Sequence, residues 1–327
     1  MKASMKILIS ALALGLATLG AQAGNPLFPK LFTADPAAIV DKGRVYLYVG
    51  HDEAKPEDKD YVMHEWRVYS TCDMVNWRDD GVPLTPFTFS WARDKAWAAD
   101  VVKREVDGKI KYWFYAPVAH KTIPGMSIGV AVSDSPTGPF VDARGTALVT
   151  NDMTTQTQIS WDDIDPGVFI DNDGQAYLYW GNTVLKYAKL KRNMTEFDGP
   201  IHVVEVPNFT EAPYLHKRAG LYYLSYAQHF PEEIAYMTGT SPTGPWTPRG
   251  VIMGKNAKTK TIHQAFIEFN GKSYVLYHNA ELPGGGEWRR SVAVEEVHYN
   301  ADGTIQPIVQ TREGPKANPS PGCESGK

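Results

Sequence analysis

Residues 162–181 read DDIDPGVFIDNDGQAYLYWG, and their layout decides the fold. An acidic residue abuts a proline at Asp165-Pro166. An apolar run follows, then a polar turn carrying Gly174, then an aromatic run. Extended runs joined by Lys-Gly, Asp-Gly or Asn-Gly form hairpins, because glycine accepts the positive φ of a tight turn. Four further copies are DPAAIVDKGRVYLYVG from Asp35, DVVKREVDGKIKYWFYA from Asp100, EAPYLHKRAGLYYLSYA from Glu211 and HQAFIEFNGKSYVLYHN from His263. Each sets a polar residue ahead of a turn glycine (Gly43, Gly108, Gly174, Gly220 or Gly271) and continues into a tyrosine-bearing strand.

Five hairpins spaced by about 45 to 65 residues match propeller blades of about four strands each. SPTGPF at 135–140 and SPTGPW at 241–246 are a second echo, and Ser70–Trp77 reads as the corresponding outer turn of the first blade. Helical periodicity is absent beyond the N-terminus, and a β-sandwich would not explain a phase-locked repeat. The expected fold is all-β: a five-bladed β-propeller with its active site at one mouth of the central channel.

The 327-residue chain opens with MKASMKILISALALGLATLGAQAG. Its basic start, apolar stretch and Ala21-Gln22-Ala23 site read as a signal peptide over residues 1–23, so a secreted or periplasmic protein is expected. No other apolar run approaches a membrane span. A net charge of −4 without a basic cluster argues against nucleic acid. One catalytic domain is expected over residues 24–311, followed by a flexible tail over 312–327. Cys72 and Cys323 are too few for a disulfide framework, and their pairing stays open. The 17 Tyr and 9 Trp are the residue types that wall sugar sites, although aromatics also favour strands.

If each repeat begins with its innermost strand, Asp35, Asp100, Asp165, Glu211 and His263 converge around the axis at one mouth of the channel. Crowded carboxyls carry desolvation and repulsion, which folds tolerate mainly where chemistry needs pKa values pushed apart. Two carboxyls facing across a pocket suit glycoside hydrolysis. There is no Gly-x-Ser-x-Gly, His-Glu-x-x-His, Cys-x-x-Cys or phosphate-binding glycine loop. The residues alone do not say which carboxyl takes which role. Asp162 and Asp163 compete with Asp165 locally but fall out of phase with the other repeats.

ADPAAIV (34–40), WAADVV (97–102), DIDPGVFID (163–171), FTEAPYL (209–215), HQAF (263–266) and RRSVAVEEVHYN (289–300) together resemble glycoside hydrolase family 43, from about Asn25 to about Gln310. The resemblance implies a five-bladed, anomer-inverting propeller enzyme, with Asp35 as general base, Glu211 as general acid and Asp165 as modulator of the acid's pKa. It implies calcium near His263, held largely through water, and a sugar contact from Arg290. Arg289 should face the other way, a question of strand register. Trp97, Asn182 and His51 are further substrate-binding candidates. Asp100 is another, either touching sugar or supporting a residue that does, and Ala99 stands where related sequences often carry proline. The expected activity is removal of α-L-arabinofuranosyl or β-D-xylosyl units from hemicellulose by an exo-acting enzyme, a monomer or small homo-oligomer. Endo-arabinanase action and a non-catalytic propeller lectin are the alternatives.

Overall fold

The computed structural model describes residues 24–323; the signal-peptide reading of residues 1–23 lies outside them. Blade 1 is β1 (Thr33–Asp41), β2 (Arg44–His51), β3 (Trp66–Thr71) and β4 (Trp77–Asp79), in that order from the axis. Blade 2 holds β5 (Ala92–Asp94), β6 (Asp100–Val106), β7 (Lys109–His120), β8 (Met126–Ser133), β9 (Val141–Asp142) and β10 (Val149–Thr150). Within it β6 pairs β7, β7 pairs β8, and the short β5, β9 and β10 attach to their ends. Blade 3 is β11 (Gly167–Ile170), β12 (Ala176–Trp180), β13 (Leu185–Leu190) and β14 (His202–Val204). Blade 4 is β15 (Phe209–Arg218), β16 (Leu221–Gln228), β17 (Glu233–Gly239) and β18 (Trp246–Met253). Blade 5 has β19 (Gln264–Phe269), β20 (Lys272–Asn279) and β21 (Ser291–Val297). β1, β6, β11, β15 and β19 are neighbours round the ring and line the channel. The expected propeller is present. No helix among the described residues is long and apolar enough to cross a membrane.

The hairpin turns explain the repeat. Lys42-Gly43, Asp107-Gly108, Ala219-Gly220 and Asn270-Gly271 all have positive φ at both residues, the geometry of a two-residue turn that matches strand twist. Blade 3 uses a longer loop, in which Gly174 N–H donates to the Asp171 carbonyl at 2.8 Å. The tyrosines mostly fill the five apolar layers between blades rather than the sugar pocket. Two of them read the second repeat: Tyr48 and Tyr179 hydroxyls donate to the Pro136 and Pro242 carbonyls of the SPTGP turns.

Among the described residues blade 5 has three strands, and the segment at Asn25–Leu27 covers its edge. Leu27 N–H donates to the Val292 carbonyl at 2.8 Å, and Val294 N–H to Asn25 Oδ1 at 2.9 Å. Residues 312–323 differ from the flexible tail expected of their composition. Asn318 and Ser320 N–H groups donate to the Asp73 and Cys72 carbonyls, and Cys323 forms a disulfide with Cys72. Main-chain bonds to blade 1, the Asn318 amide on Phe269, Asn270 and Tyr274 of blade 5, and one covalent link hold this segment, so its lack of apolar residues did not reveal that it straps blade 5 to blade 1.

Candidate active site

Three innermost strands break their ladder at one level, and each break is an X-Pro pair. Ala34 pairs Gly50 and Ala37 pairs Tyr48, which leaves Asp35-Pro36 outside the register. Glu211 pairs Ala227 and Tyr214 pairs Ser225, which leaves Ala212-Pro213 outside. Asp165-Pro166 likewise lie between the Gly181-to-Ile164 bond and the Gly167–Tyr179 pair. Asp35, Asp165 and Ala212 share φ between 53° and 55°. Such bulges re-aim side chains, and left-handed backbone in non-glycine residues concentrates at functional sites. Spacing to the turn glycine places Glu211 in step with the aspartates. The register shows it one residue earlier, with Ala212 at the aspartate position.

Asp35 is 7 % exposed and sits against the Arg290 guanidinium and the His278 ring. Arg290 Nη1 donates to its Oδ1 at 2.8 Å, and His278 Nδ1 lies 3.1 Å from the same oxygen. Asp35 N–H itself donates to His278 Nδ1 at 3.3 Å, and the Thr261 hydroxyl lies 3.3 Å from Nε2 on the other side of the ring. Burial opposes ionisation of Asp35, but Arg290 and His278 outweigh it and hold its carboxyl well below the usual range. Arg290 is itself clamped: Nε and Nη2 donate to the two Asp52 oxygens at 2.9 Å each, and its ring-plane neighbour is Tyr61 at 4.4 Å. Arg289 points away, donating to the Gly284 and Lys55 carbonyls. The register question is thus answered for Arg290.

Glu211 behaves in the opposite way. Burial raises its pKa, Asn182 Nδ2 donating to Oε2 at 2.7 Å lowers it, and Asp35 raises it again, leaving it at about 7. Its side chain keeps some surface open to the cavity, though the pocket walls surround it. Asp165 is raised well above the ordinary range by burial and by the Glu211 and Asp35 charges, despite the Ala212 N–H donated to Oδ2 at 3.0 Å. That bond ties Asp165 to the residue next to Glu211. Asp162 and Asp163 have another job: they surround the fully buried Lys186 at 3.2 and 3.3 Å, and Trp180 and Thr154 complete the shell of Asp163.

Asp35, Asp165, Glu211, Asn182, Trp97, His263 and Arg290 line one cavity of about 460 Å³, walled by loops from all round the ring. His51 and Asp100 do not. The His51 ring turns to Glu65 at 3.1 Å, while the next residue, Asp52, reaches Arg290. Asp100 stays in a regular ladder without proline, and its carboxylate accepts Val101 and Val168 N–H, linking blades 2 and 3. It faces a larger cavity of about 760 Å³ at the turn end of the channel, which contains no carboxyl pair pushed apart in pKa. Asp52, His278, Tyr61 and Glu232 were missed in the sequence. Asp52 is adjacent to a residue singled out, and His278 ends a repeat strand, but alternation alone does not say which neighbour faces the axis.

His263 lies 3.7 Å from Asp165 Oδ2, and burial lowers its pKa to about 4, so the ring is neutral with a lone pair available. No group of three or more His, Cys, Asp or Glu among the described residues is arranged to hold a metal. The donor set therefore fits calcium only through one imidazole, with water supplying the oxygens this hard ion prefers.

A closed propeller whose pocket sets one carboxyl held low in pKa against others pushed upward, framed by arginine and aromatic rings, defines a glycoside hydrolase. The chain belongs to glycosyl hydrolases family 43, which it matches over residues 23–305. It is 32 % identical to an arabinoxylan arabinofuranohydrolase of Bacillus subtilis, covering 89 % of this chain and 65 % of that protein. It is 33 % identical to a xylosidase/arabinosidase of Bacteroides ovatus, covering 85 % and 95 %. A β-xylosidase/α-arabinofuranosidase from a compost metagenome, solved with xylotriose in a calcium-free form, superposes with a TM-score of 0.76 at 33 % identity, covering 88 % and 97 %.

Proposed function

We propose that this protein is an exported, inverting exo-glycosidase that removes α-L-arabinofuranosyl or β-D-xylosyl units from arabinoxylan, arabinan or xylo-oligosaccharides. The observation that carries the reading is the opposed displacement of two carboxyls in one cavity, Asp35 downward and Glu211 upward. The names of the relatives supply the sugar class. The relatives named arabinofuranohydrolase and xylosidase/arabinosidase favour removal of terminal units over cleavage within a chain.

In this reading Glu211 delivers its proton to the glycosidic oxygen as the bond to the anomeric carbon breaks. Asp35 holds a water on the opposite face and accepts its proton as the new C–O bond forms. Asp165, the proposed modulator of the acid, orients Glu211 through Ala212 N–H, while burial and the Asp35 charge keep the Glu211 proton in place. Arg290, held by Asp52, presents Nη1 to Asp35 and the sugar hydroxyls nearby. Asn182 fixes the second oxygen of the acid. Calcium enters this reading through His263 and water, where it would offset the field of the carboxyls. Chelation should lower both melting temperature and turnover, with calcium restoring them and His263→Ala weakening the response. Unchanged melting and turnover after exhaustive chelation removes the ion.

Export rests on the N-terminal pattern and on the Cys72–Cys323 bond, which suits an oxidising compartment. Activity as a monomer or small homo-oligomer belongs to the same reading. The decisive experiment is a panel of p-nitrophenyl glycosides followed by arabinoxylan, arabinan and xylo-oligosaccharides. Terminal arabinose or xylose release supports the reading. Binding without release on every substrate returns it to the lectin.

A further inference from the structure

Lys186 places an ammonium where the fold has no water to receive it. It is fully buried on β13, opposite Trp180 in the ladder, and lies outside the catalytic cavity. An ammonium has three donors and no acceptor. Each donor is used here: Nζ donates to the Asp162 carbonyl and to Asp162 Oδ2, both at 3.2 Å, and to Asp163 Oδ1 at 3.3 Å. Replacing a buried ion cluster by apolar groups is often neutral or stabilising, so stability alone does not account for it.

The Asp162 carbonyl is a shared acceptor. Besides Lys186 Nζ it takes the Asn182 N–H at 3.0 Å. Asn182 in turn lines the cavity and donates from Nδ2 to Glu211 Oε2 at 2.7 Å. It sits in the turn between β12 and β13, flanked by Gly181 and Thr183, both of positive φ. Its N–H is therefore fixed by the Asp162 carbonyl rather than by a ladder partner. The same segment receives the Gly181 N–H on the Ile164 carbonyl at 2.9 Å, one residue before Asp165. Asp163 keeps partners of its own, the Trp180 Nε1 at 2.8 Å and the Thr154 hydroxyl at 2.6 Å.

Resting on the proposed roles above, we propose that Lys186 is a positioning residue for the general acid: it pins the Asp162 carbonyl, that carbonyl sets Asn182, and Asn182 aims Glu211. Lys186 touches neither the sugar nor the reacting atoms, and it moves no proton. Its contribution is orientation, and a misplacement of about 1 Å in a catalytic group can cost about 100-fold in rate. A misaimed acid does most harm when the leaving oxygen depends on its proton. The signature is therefore the ratio of kcat/KM on xylo-oligosaccharides to kcat/KM on an activated aryl glycoside. Loss of folded protein lowers both rates equally and leaves that ratio alone.

The test compares the full-length enzyme with Lys186→Met/Asp162→Asn, which removes the ammonium and one carboxylate together and leaves the net charge unchanged. The ratio should fall about 10-fold or more. In an Asn182→Ala background the link to Glu211 is already cut. There the same pair of changes should lower the ratio by less than about 2-fold, because effects along one chain of contacts do not add. Lys186→Gln/Asp162→Asn keeps an N–H donor for the Asp162 carbonyl and should recover part of the ratio. If the Met variant does not fold, the Gln variant carries the cycle: its ratio should lie below that of the wild type, and should not fall further when Asn182→Ala is already present. A wild-type ratio in both variants, an equal loss on both substrates, or a loss that adds in full to that of Asn182→Ala overturns the proposal. A wild-type enzyme that hydrolyses no glycoside is a separate result: it overturns the proposed function itself, and this proposal with it.

Discussion

Asp35 and Glu211 differ in one respect that matters: Asp35 faces a guanidinium and an imidazole, whereas Glu211 faces an amide and other carboxyls. The acid is protonated below its raised pKa and loses its proton as pH rises through it, so kcat/KM should fall on an alkaline limb near 7. Asp35 stays ionised well into acid, so the acidic limb should lie far from neutral. Glu211→Ala should flatten the alkaline limb and, on an aryl glycoside, lose less activity than Asp35→Ala. Equal mild losses at both positions contradict the roles. Asp52→Asn removes one charge from a buried pair, where breaking such a pair costs about 3–5 kcal/mol. It should depress melting and kcat/KM together, and a variant with wild-type values of both would show that Arg290 needs no clamp. Asp35, Asp165 and Glu211 were legible because each opens a repeat. Asp52, His278 and Glu232 were not, because they reach the axis from strand ends and loops whose register a single chain does not display.

At the scale of the element, the informative feature is the bulge shared by β1, the entry to β11, and β15. The proline two or three positions into each motif was visible, and its physical role was not: it marks where the strand leaves its ladder and presents a carboxyl. Glu211 shows the limit. Counting back from Gly220 aligns it with Asp35, and only the pairing of Glu211 with Ala227 reveals the one-residue offset. The hairpins themselves were readable, since a two-residue turn with both φ values positive selects glycine at its second position. Gly167, where β11 meets β15, supplies a test. A Cβ there would lie 2.3 Å from the Pro213 carbonyl oxygen. Gly167→Ala should force apart the strands that carry Asp165 and Glu211, destabilise the protein by about 1–3 kcal/mol, and lower kcat. Wild-type turnover and unfolding midpoint in that variant would show that the two strands need not meet so closely.

The whole molecule is a ring, and a ring needs closing. Asn25 and Leu27 complete the edge of blade 5, and the Cys72–Cys323 bond ties the far end of the chain to blade 1. Five repeats announced the propeller, but nothing in a Pro/Gly/Ser-rich segment announced the strap, because its holding bonds are polar and covalent rather than apolar. Cys323→Ser should lower stability by about 2–4 kcal/mol while leaving turnover at 25 °C unchanged, since the bond lies away from the pocket. Calorimetry with and without reductant checks this, and identical melting would make the bond incidental.

The account as a whole requires water, not Asp35, to attack the sugar. Inverting enzymes hold their carboxyls about 6.5–9.5 Å apart to admit that water. Proton NMR of the first product released from a p-nitrophenyl β-D-xyloside or α-L-arabinofuranoside reads the outcome directly, before mutarotation. The account predicts a product of inverted anomeric configuration. Net retention would make Asp35 a nucleophile and contradict it.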